Sequence, residues 1–507
     1  MNRTIRRGGT AIIVLVVALL ANITYIQVVK SAAYRNDPHN RRILYEEVSR
    51  QRGQITAAGG VVLAKSDRST DSYRYQRSYP LGAAYANLTG YYSLAYGPTG
   101  VESAQDELLT GNSADLLVDR VGDFLTGRDP RGGNVELTIV PKVQQTAYDE
   151  LTSRGLVGSV IAIRPSTGEV LAMASSPGFD PNTLASHNDN AQRDAYNALH
   201  AAGAGTAPSA LDDRAVDNVY PPGSTFKMIV ASAALSQGYD SQTPLTSASK
   251  ITLPGTDGVT LSNFGGETCA GSGSPQVTLS TALAHSCNTA FAELGMKVGA
   301  DAIRRQAAAF GVDGNEFDLG LVDGKQSSGG LTGQGSRLGE MADDAAVAQS
   351  SIGQRDVAFT PLQTAMVAAT IASGGVRMTP YLIARTTAPD LKEIAAAVPT
   401  VANATAITPE VAASMTAMMV QSEQVTGGDN QIAGIQIGSK TGTAEHGTDP
   451  KNTPPYVSYA AFAPADHPQV AVLVFVEGGT GVDVNSTGRT VAAPVGRLVI
   501  AAALQGQ

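Results

Sequence analysis

Three short stretches of this 507-residue chain carry side chains that can act on a carbonyl group. In Pro-Pro-Gly-Ser-Thr-Phe-Lys, Pro221–Lys227, Ser224 and Lys227 lie three residues apart. If a helix opens at Ser224, the lysine amine falls one turn later on the same face, within reach of the serine hydroxyl. Serine is a weak nucleophile at its free pKa and needs an adjacent base. Lysine can be that base only when neutral, a state favoured by burial or a second cation nearby. By itself the pair reads equally well as an N-cap serine and a solvated lysine. Ser286 and Asn288 flank Cys287, 62 residues beyond Ser224. On an extended or looped segment the two polar side chains face one way and the cysteine the other. The hydroxyl could then relay a proton, and the amide could hold a substrate carbonyl or the lysine. Lys440-Thr441-Gly442-Thr443 offers a cation and hydroxyls to a carboxylate, and Gly442 lets another segment approach closely.

Elements must bring these stretches together. Val143–Leu151 reads as a helix, followed by two strands in Gly158–Ser176 joined by a Pro-Ser-Thr-Gly turn. Val457–Pro464 and Gln469–Glu477 form a second such pair, and a final helix, Ala493–Leu504, starts near Pro494. Strands at both ends with helices between predict an α+β domain whose antiparallel sheet uses both ends of the chain. Gln431–Gly438 reads as a strand leading into Lys440. Upstream, helices are expected at Val101–Leu109 and Ala114–Phe124, with extended stretches around Ile43–Ile55 and Val61–Lys65. Gly127–Gly133 has the composition of a hinge.

Composition excludes several classes. Thirty-six basic against 45 acidic residues argue against a nucleic-acid binder. The six histidines show no H-E-x-x-H, and two cysteines are too few for a disulfide scaffold or an iron–sulfur site. A phosphate-binding loop fails at Ser439, where glycine is required before the lysine. The first 30 residues differ from the rest, with Arg3, Arg6, Arg7 and Lys30 and no acid. Ala11–Val29 is a 19-residue uncharged run, which as a helix spans roughly 28 Å, close to the ~30 Å hydrocarbon core. A cleaved signal peptide is the competing reading. A-x-A is missing and apolar residues continue to Val29, so an uncleaved anchor is expected. The arginines then place residues 1–10 in the cytoplasm and residues 31–507 outside.

Each motif is weak, but S-x-x-K, S-x-N and K-T-G in this order form the combination of the penicillin-recognising serine enzymes. Arg214–Lys227, Ser350–Gln363 and Lys440–Glu445 resemble segments of penicillin-binding proteins, as does Gly158–Asn182. Arg52-Gly53-Gln54-Ile55 resembles the opening of the non-catalytic domain of class B members. The resemblance covers nearly the whole chain, and the length and anchor resemble the actinobacterial penicillin-binding protein A group. It implies a tail over 1–10, a transmembrane anchor over 11–29, a pedestal or dimerisation domain over 31–133 and a transpeptidase domain over 134–507. That domain would have a five-stranded antiparallel sheet with helices on both sides.

The resemblance also implies roles. Ser224 would attack the D-Ala–D-Ala carbonyl of a peptidoglycan stem peptide, with Lys227 as general base. Backbone N–H groups of Ser224 and Thr443 would form the oxyanion hole. Ser286 would pass a proton to the leaving amine, while Asn288 orients the substrate amide and Lys227. Lys440 would keep the site positive, and Thr441 and Thr443, with Gly442 between them, would bind the terminal carboxylate. A neighbouring stem peptide with a diamino-acid acceptor would complete the cross-link, and penicillin would trap Ser224. No metal or organic cofactor is implied. A SEDS-family glycosyltransferase is the implied protein partner; a D,D-carboxypeptidase and a β-lactam-binding scaffold are the alternative functions. A class A β-lactamase would need a deacylating glutamate. Glu316 is placed for one, but Gly320 stands where the usual Asn is required. Cys287 beside His285 could suggest a thiol nucleophile, but no orienting partner is evident. Cys287 is either a packed residue or pairs with Cys269, both lying in an oxidising compartment.

Overall fold

The computed structural model describes residues 2–26, 30, 50–71, 73–117, 122, 127, 129, 131–202, 209–320, 331–427 and 432–505. Helix α1 runs over Asn2–Thr24. Its Arg6–Thr24 segment is long and apolar enough to cross a membrane, and none of it is buried within the protein. The helix therefore begins before the expected Ala11, and residues 27–29 of the expected span lie outside the described residues. So do residues 43–49 of the first expected extended stretch and most of 118–124.

Strands β1 (Ile55–Ala57), β2 (Val61–Arg68) and β3 (Tyr75–Ser78) open the next unit. The expected helix at 101–109 is two short ones, Gly100–Ala104 and Asp106–Leu109, and Ala114–Leu116 is a single 3-10 turn. Arg52 explains why a polar Arg-Gly pair opens this unit. Its buried guanidinium bonds both the Glu102 carboxylate (2.5 Å) and Asp106 (2.6 Å), and Arg77 takes the other Glu102 oxygen at 2.6 Å. Removing one member would strand a buried charge, typically a loss of about 3–5 kcal/mol. A Cβ at Gly53 would lie 1.7 Å from the Gly133 carbonyl oxygen, and one at Gly132 the same distance from that of Leu109. These glycines are where chain segments touch, so Gly132 and Gly133 are packed rather than a free hinge.

The larger body contributes, in order, β4 (Asn134–Leu137), α2 (Pro141–Ser153), β5 (Leu156–Ile163), β6 (Val170–Ser176), α3 (Lys227–Ser236), α4 (Leu279–Ala284), α5 (Asn288–Val298) and α6 (Pro361–Ala372). Then follow β7 (Ile383–Thr387), β8 (Glu393–Ala396), α7 (Pro409–Gly427), β9 (Gly438–Ala444), β10 (Tyr456–Ala463), β11 (Val470–Gly479) and α8 (Ala493–Gln505).

The main sheet is five-stranded and wholly antiparallel, in the order β9-β10-β11-β5-β6. Both ends of the body thus supply it, as expected. Period-two alternation sorts its side chains. Val470, Val472, Val474 and Val476 pack with α2 and α8, through Val143, Ala147, Val495 and Val499. Ala471, Leu473 and Phe475 face the opposite core, with α3 and α6. Burial on both faces is why these strands read as continuous apolar runs. A second sheet, β8-β7-β4-β1-β2-β3, includes a parallel β1–β4 pair. It draws strands from both sides of the 133/134 junction.

Candidate active site

Edge strand β9 of the main sheet borders an open cavity of about 1120 Å³, into which Ser224, Ser286, Asn288, Thr441 and Thr443 all face. Ser224 sits in a 3-10 turn, Gly223–Phe226, just ahead of α3, so the expected helix opens three residues after it. The turn is braced from outside the motif. Gly223 N–H donates to the Gly353 carbonyl (3.0 Å), and Tyr220 and Phe359 exchange backbone bonds of 2.8 Å. Gly353 has φ +74°, and a Cβ there would lie 2.0 Å from the Gly223 oxygen, which is the local reason for a glycine.

Lys227 is fully buried. Its amine donates to the Ser286 carbonyl and to Asn288 Oδ1, both at 2.7 Å, with Ser286 Oγ at 3.5 Å. Among the described residues it makes no hydrogen bond to Ser224; its hydrogen bonds go to the Ser286–Asn288 segment instead of to the serine suggested by the spacing. That segment is not extended. It is the junction between α4 and α5, with Ser286 in the left-handed region (φ +59°) and Asn288 opening α5. Ser286 and Asn288 line the cavity, and Cys287 between them, on the same wall but only 3% exposed, forms a disulfide with Cys269. The pairing left open by sequence is thereby made, with Cα atoms 5.4 Å apart.

Lys440 is also fully buried and donates to Ser286 Oγ (2.8 Å) and the Thr441 carbonyl (2.9 Å). Among the described residues neither lysine pairs with a carboxylate. Burial pushes the Lys227 amine well below the ordinary lysine range, with the neighbouring Lys440 charge adding to it. Burial alone brings Lys440 down to about 7.

Lys440–Thr443 is itself strand rather than the sequel to one. Strand β9 starts only at Gly438, because Ile432–Ile435 makes a turn with Gly434 at φ +78°. A Cβ on Gly442 would lie 2.2 Å from Ser458 Oγ and 3.1 Å from the Pro222 oxygen, so this glycine lets β9 lie against the Ser224 turn. Behind it sits a network that the motifs did not reveal. Glu423 on α7 accepts from Ser439 Oγ (2.5 Å), Tyr459 OH (2.9 Å) and Arg497 Nε (2.8 Å), all buried. The available signal was a single acid within the stretch Met-Met-Val-Gln-Ser-Glu-Gln-Val of α7. Glu316 is exposed and does not line the cavity, in keeping with its exclusion as a base.

A buried lysine pair around a cavity-facing serine, at the edge of an antiparallel sheet backed by helices, defines a serine acyl-transfer site of the penicillin-recognising class. Residues 158–501 match the family profile "Penicillin binding protein transpeptidase domain", and residues 52–135 match "Penicillin binding protein A dimerisation domain". The chain belongs to the penicillin-binding protein transpeptidases and is most like their actinobacterial A group. It is 50% identical to the peptidoglycan D,D-transpeptidase PbpA of Mycolicibacterium smegmatis, covering 100% of this chain and 99% of that protein. The Mycobacterium tuberculosis protein of that name is 46% identical, with full coverage of both. The structure of penicillin-binding protein A from M. tuberculosis as a ceftriaxone acyl-enzyme complex superposes with a TM-score of 0.85 at 47% identity, covering 91% of this chain and all of that one. Its penicillin G acyl-enzyme complex gives 0.82.

Proposed function

We propose that this protein is a peptidoglycan D,D-transpeptidase that cross-links stem peptides through an acyl-enzyme on Ser224, releases D-Ala, and binds penicillin covalently at the same serine. The observation that carries the assignment of roles is the bonding of Lys227. A neutral amine has two hydrogens and one lone pair. Ser286 O and Asn288 Oδ1 take the two hydrogens, which leaves the lone pair to accept the Ser224 proton.

In acylation the Ser224 oxygen bonds to the penultimate D-Ala carbonyl carbon as Lys227 takes its proton. The negative oxygen is met by the backbone N–H groups of Ser224 and Thr443; losing one such donor typically costs ~10²–10³ in rate. Collapse breaks the C–N bond. The leaving amine takes a proton from Ser286, which Lys227 replenishes across the 3.5 Å separation. Lys440, Thr441 and Thr443 hold the terminal carboxylate. The amine of a second stem peptide then attacks the ester, gives up its proton by the reverse path and restores Ser224.

The polar Arg3–Arg7 end of α1 fits a cytoplasmic tail, with 11–29 as a single membrane pass and the rest outside. Residues 31–133 then act as a pedestal, and a SEDS-family glycosyltransferase is the membrane partner we propose for it. The acyl-enzyme complexes of the M. tuberculosis relative with ceftriaxone and penicillin G support the covalent step.

The test is labelling with a fluorescent penicillin: wild type is labelled one-to-one and Ser224→Ala is not. Equal labelling of the variant overturns the assignment. With lipid-linked pentapeptide strands and an acceptor, cross-linked dimer is expected; free D-Ala without dimer would make it a carboxypeptidase.

A further inference from the structure

No part of the Arg6–Thr24 segment of α1 is buried against the rest of the chain. Between Arg7 and Tyr25 three side chains carry polar atoms, Thr10, Asn22 and Thr24. The two threonines are satisfied within the helix. Each hydroxyl donates to the carbonyl four residues back, Thr10 to Arg6 and Thr24 to Leu20, both at 2.9 Å. The Asn22 side chain makes no hydrogen bond among the described residues. In a span over 11–29 it lies two residues from the middle, about 3 Å from mid-depth. No water reaches an amide there, so its donors and its acceptor need a protein partner. Steps of four and three residues back from Asn22 give Ala18, Leu15, Ala11 and Gly8, while Ile13 and Leu20 lie on the opposite side of the helix. That alternation averages 3.5 residues, the spacing of a coiled-coil seam with Asn22 at an a position. Gly8, Ala11 and Ala18 are small, which lets a second backbone come close.

We infer that Asn22 is the contact point of a paired anchor, in which the α1 helices of two copies of this chain lie side by side and their Asn22 amides hydrogen-bond to each other. This rests on the membrane-anchor reading above and is independent of the acyl-transfer chemistry. Copies inserted with their arginine ends on the same side run parallel. In a parallel two-stranded seam each a position meets its own counterpart. The amide is self-complementary, since each N–H can donate to the other's carbonyl oxygen about a two-fold axis. A helix of a different protein would need a matching polar group at the same depth, whereas a second copy supplies one by symmetry. The domain that follows in the chain, over 52–135, matches a family named for dimerisation, and paired anchors lead directly into it.

The experiment measures self-association of the full-length protein in liposomes, by energy transfer between copies carrying donor or acceptor dyes at the N-terminus, as lipid is added. Wild type should pair. Asn22→Leu should need a surface density about three- to thirty-fold higher for half of it to pair. Asn22→Gln, which keeps the amide, should stay near wild type. Cys269 and Cys287 are joined to each other, so a cysteine introduced into α1 is the one free thiol. Leu15→Cys and Ala18→Cys should then cross-link two copies on oxidation with copper–phenanthroline, and Ile13→Cys should not. Pairing of Asn22→Leu at the wild-type density overturns the inference, as does equal cross-linking by Ile13→Cys. A monomeric wild type also overturns it and leaves Asn22 to a helix of a different protein. If wild type does not float with the liposomes, the anchor reading itself fails. Fluorescent penicillin reports separately on the acyl-transfer reading and should label all these variants alike.

Discussion

At the residue scale the proposed chemistry turns on two lysines that, among the described residues, are buried without carboxylate partners. Ser224, Lys227, Ser286, Asn288, Lys440, Thr441 and Thr443 were legible because their order and spacing are set by covalent distance along the chain. Their hydrogen bonds were not, because these depend on segments 59 to 154 residues apart meeting. Glu423 escaped notice because one acid on a helix looks the same whether solvated or buried. Burial of Lys440 has a measurable cost. Its folded pKa, about 7, lies below the ordinary value of 10.5. Between those two pH values the unfolded chain binds a proton that the native one lacks, so stability rises with pH there, by at most about 1.4 kcal/mol per pH unit. Lys440→Met should therefore unfold at higher temperature than wild type at pH 7. The gap should be largest at and below pH 7 and should close by a few kcal/mol as pH approaches 10. Thermal melts of both proteins from pH 6 to 10 check this, and a gap independent of pH would contradict it. Acylation of the wild type by benzylpenicillin, a carboxylate, should fall as pH rises through about 7, since the cation that meets it is lost.

At the element scale, the terminal strands and helices were read from sequence to within a few residues because apolar runs buried on both faces leave a strong pattern. The start of β9 was misread, and the 286–288 segment was left open between extended and looped, for a common reason. Both are fixed by residues with positive φ, Ser286 and Gly434, and a left-handed residue has no apolar signature. The Gly353–Gly223 contact shows what such positions do for the site. Gly353→Ala meets two obstacles, a left-handed backbone worth about 1–2 kcal/mol and a Cβ only 2.0 Å from the Gly223 oxygen. Relief requires moving the turn that presents Ser224. Gly374 has nearly the same φ, +72°, with nothing within 4 Å of its Cβ, so Gly374→Ala isolates the backbone strain. Gly374→Ala should lose about 1–2 kcal/mol of stability, and Gly353→Ala more than that because of the added clash. Only Gly353→Ala should also lose penicillin acylation, by about tenfold or more, because misplacement of a nucleophile by a fraction of an ångström is felt strongly in rate. Equal acylation by the two variants would mean that the brace does not position Ser224.

At the scale of the whole molecule, charge and hydropathy divide the chain more sharply than the sheets do. The net charge of −9 conceals a +4 segment over residues 1–30, leaving 32 basic against 45 acidic residues in the remainder. The second sheet, in contrast, runs across the 133/134 junction, with β4 seated between β1 and β7. A short parallel pairing leaves no trace in hydropathy, which is why the composition of 127–133 reads as a hinge where the fold has a seam. Two outcomes follow from this contrast. Removing residues 1–30 deletes the exposed apolar helix and touches neither sheet, so the remaining chain should be soluble, should not float with liposomes, and should be labelled by penicillin at the full-length rate. Removing residues 1–133 deletes β1, β2 and β3 and exposes one edge of β4, along with the buried faces of Val135 and Leu137. An unpaired apolar strand edge invites association, so this shorter chain should aggregate or lose its cooperative melt. If it instead stays monomeric and is labelled at the wild-type rate, the seam contributes nothing to stability, and the pedestal serves only to set the catalytic domain's distance from the membrane.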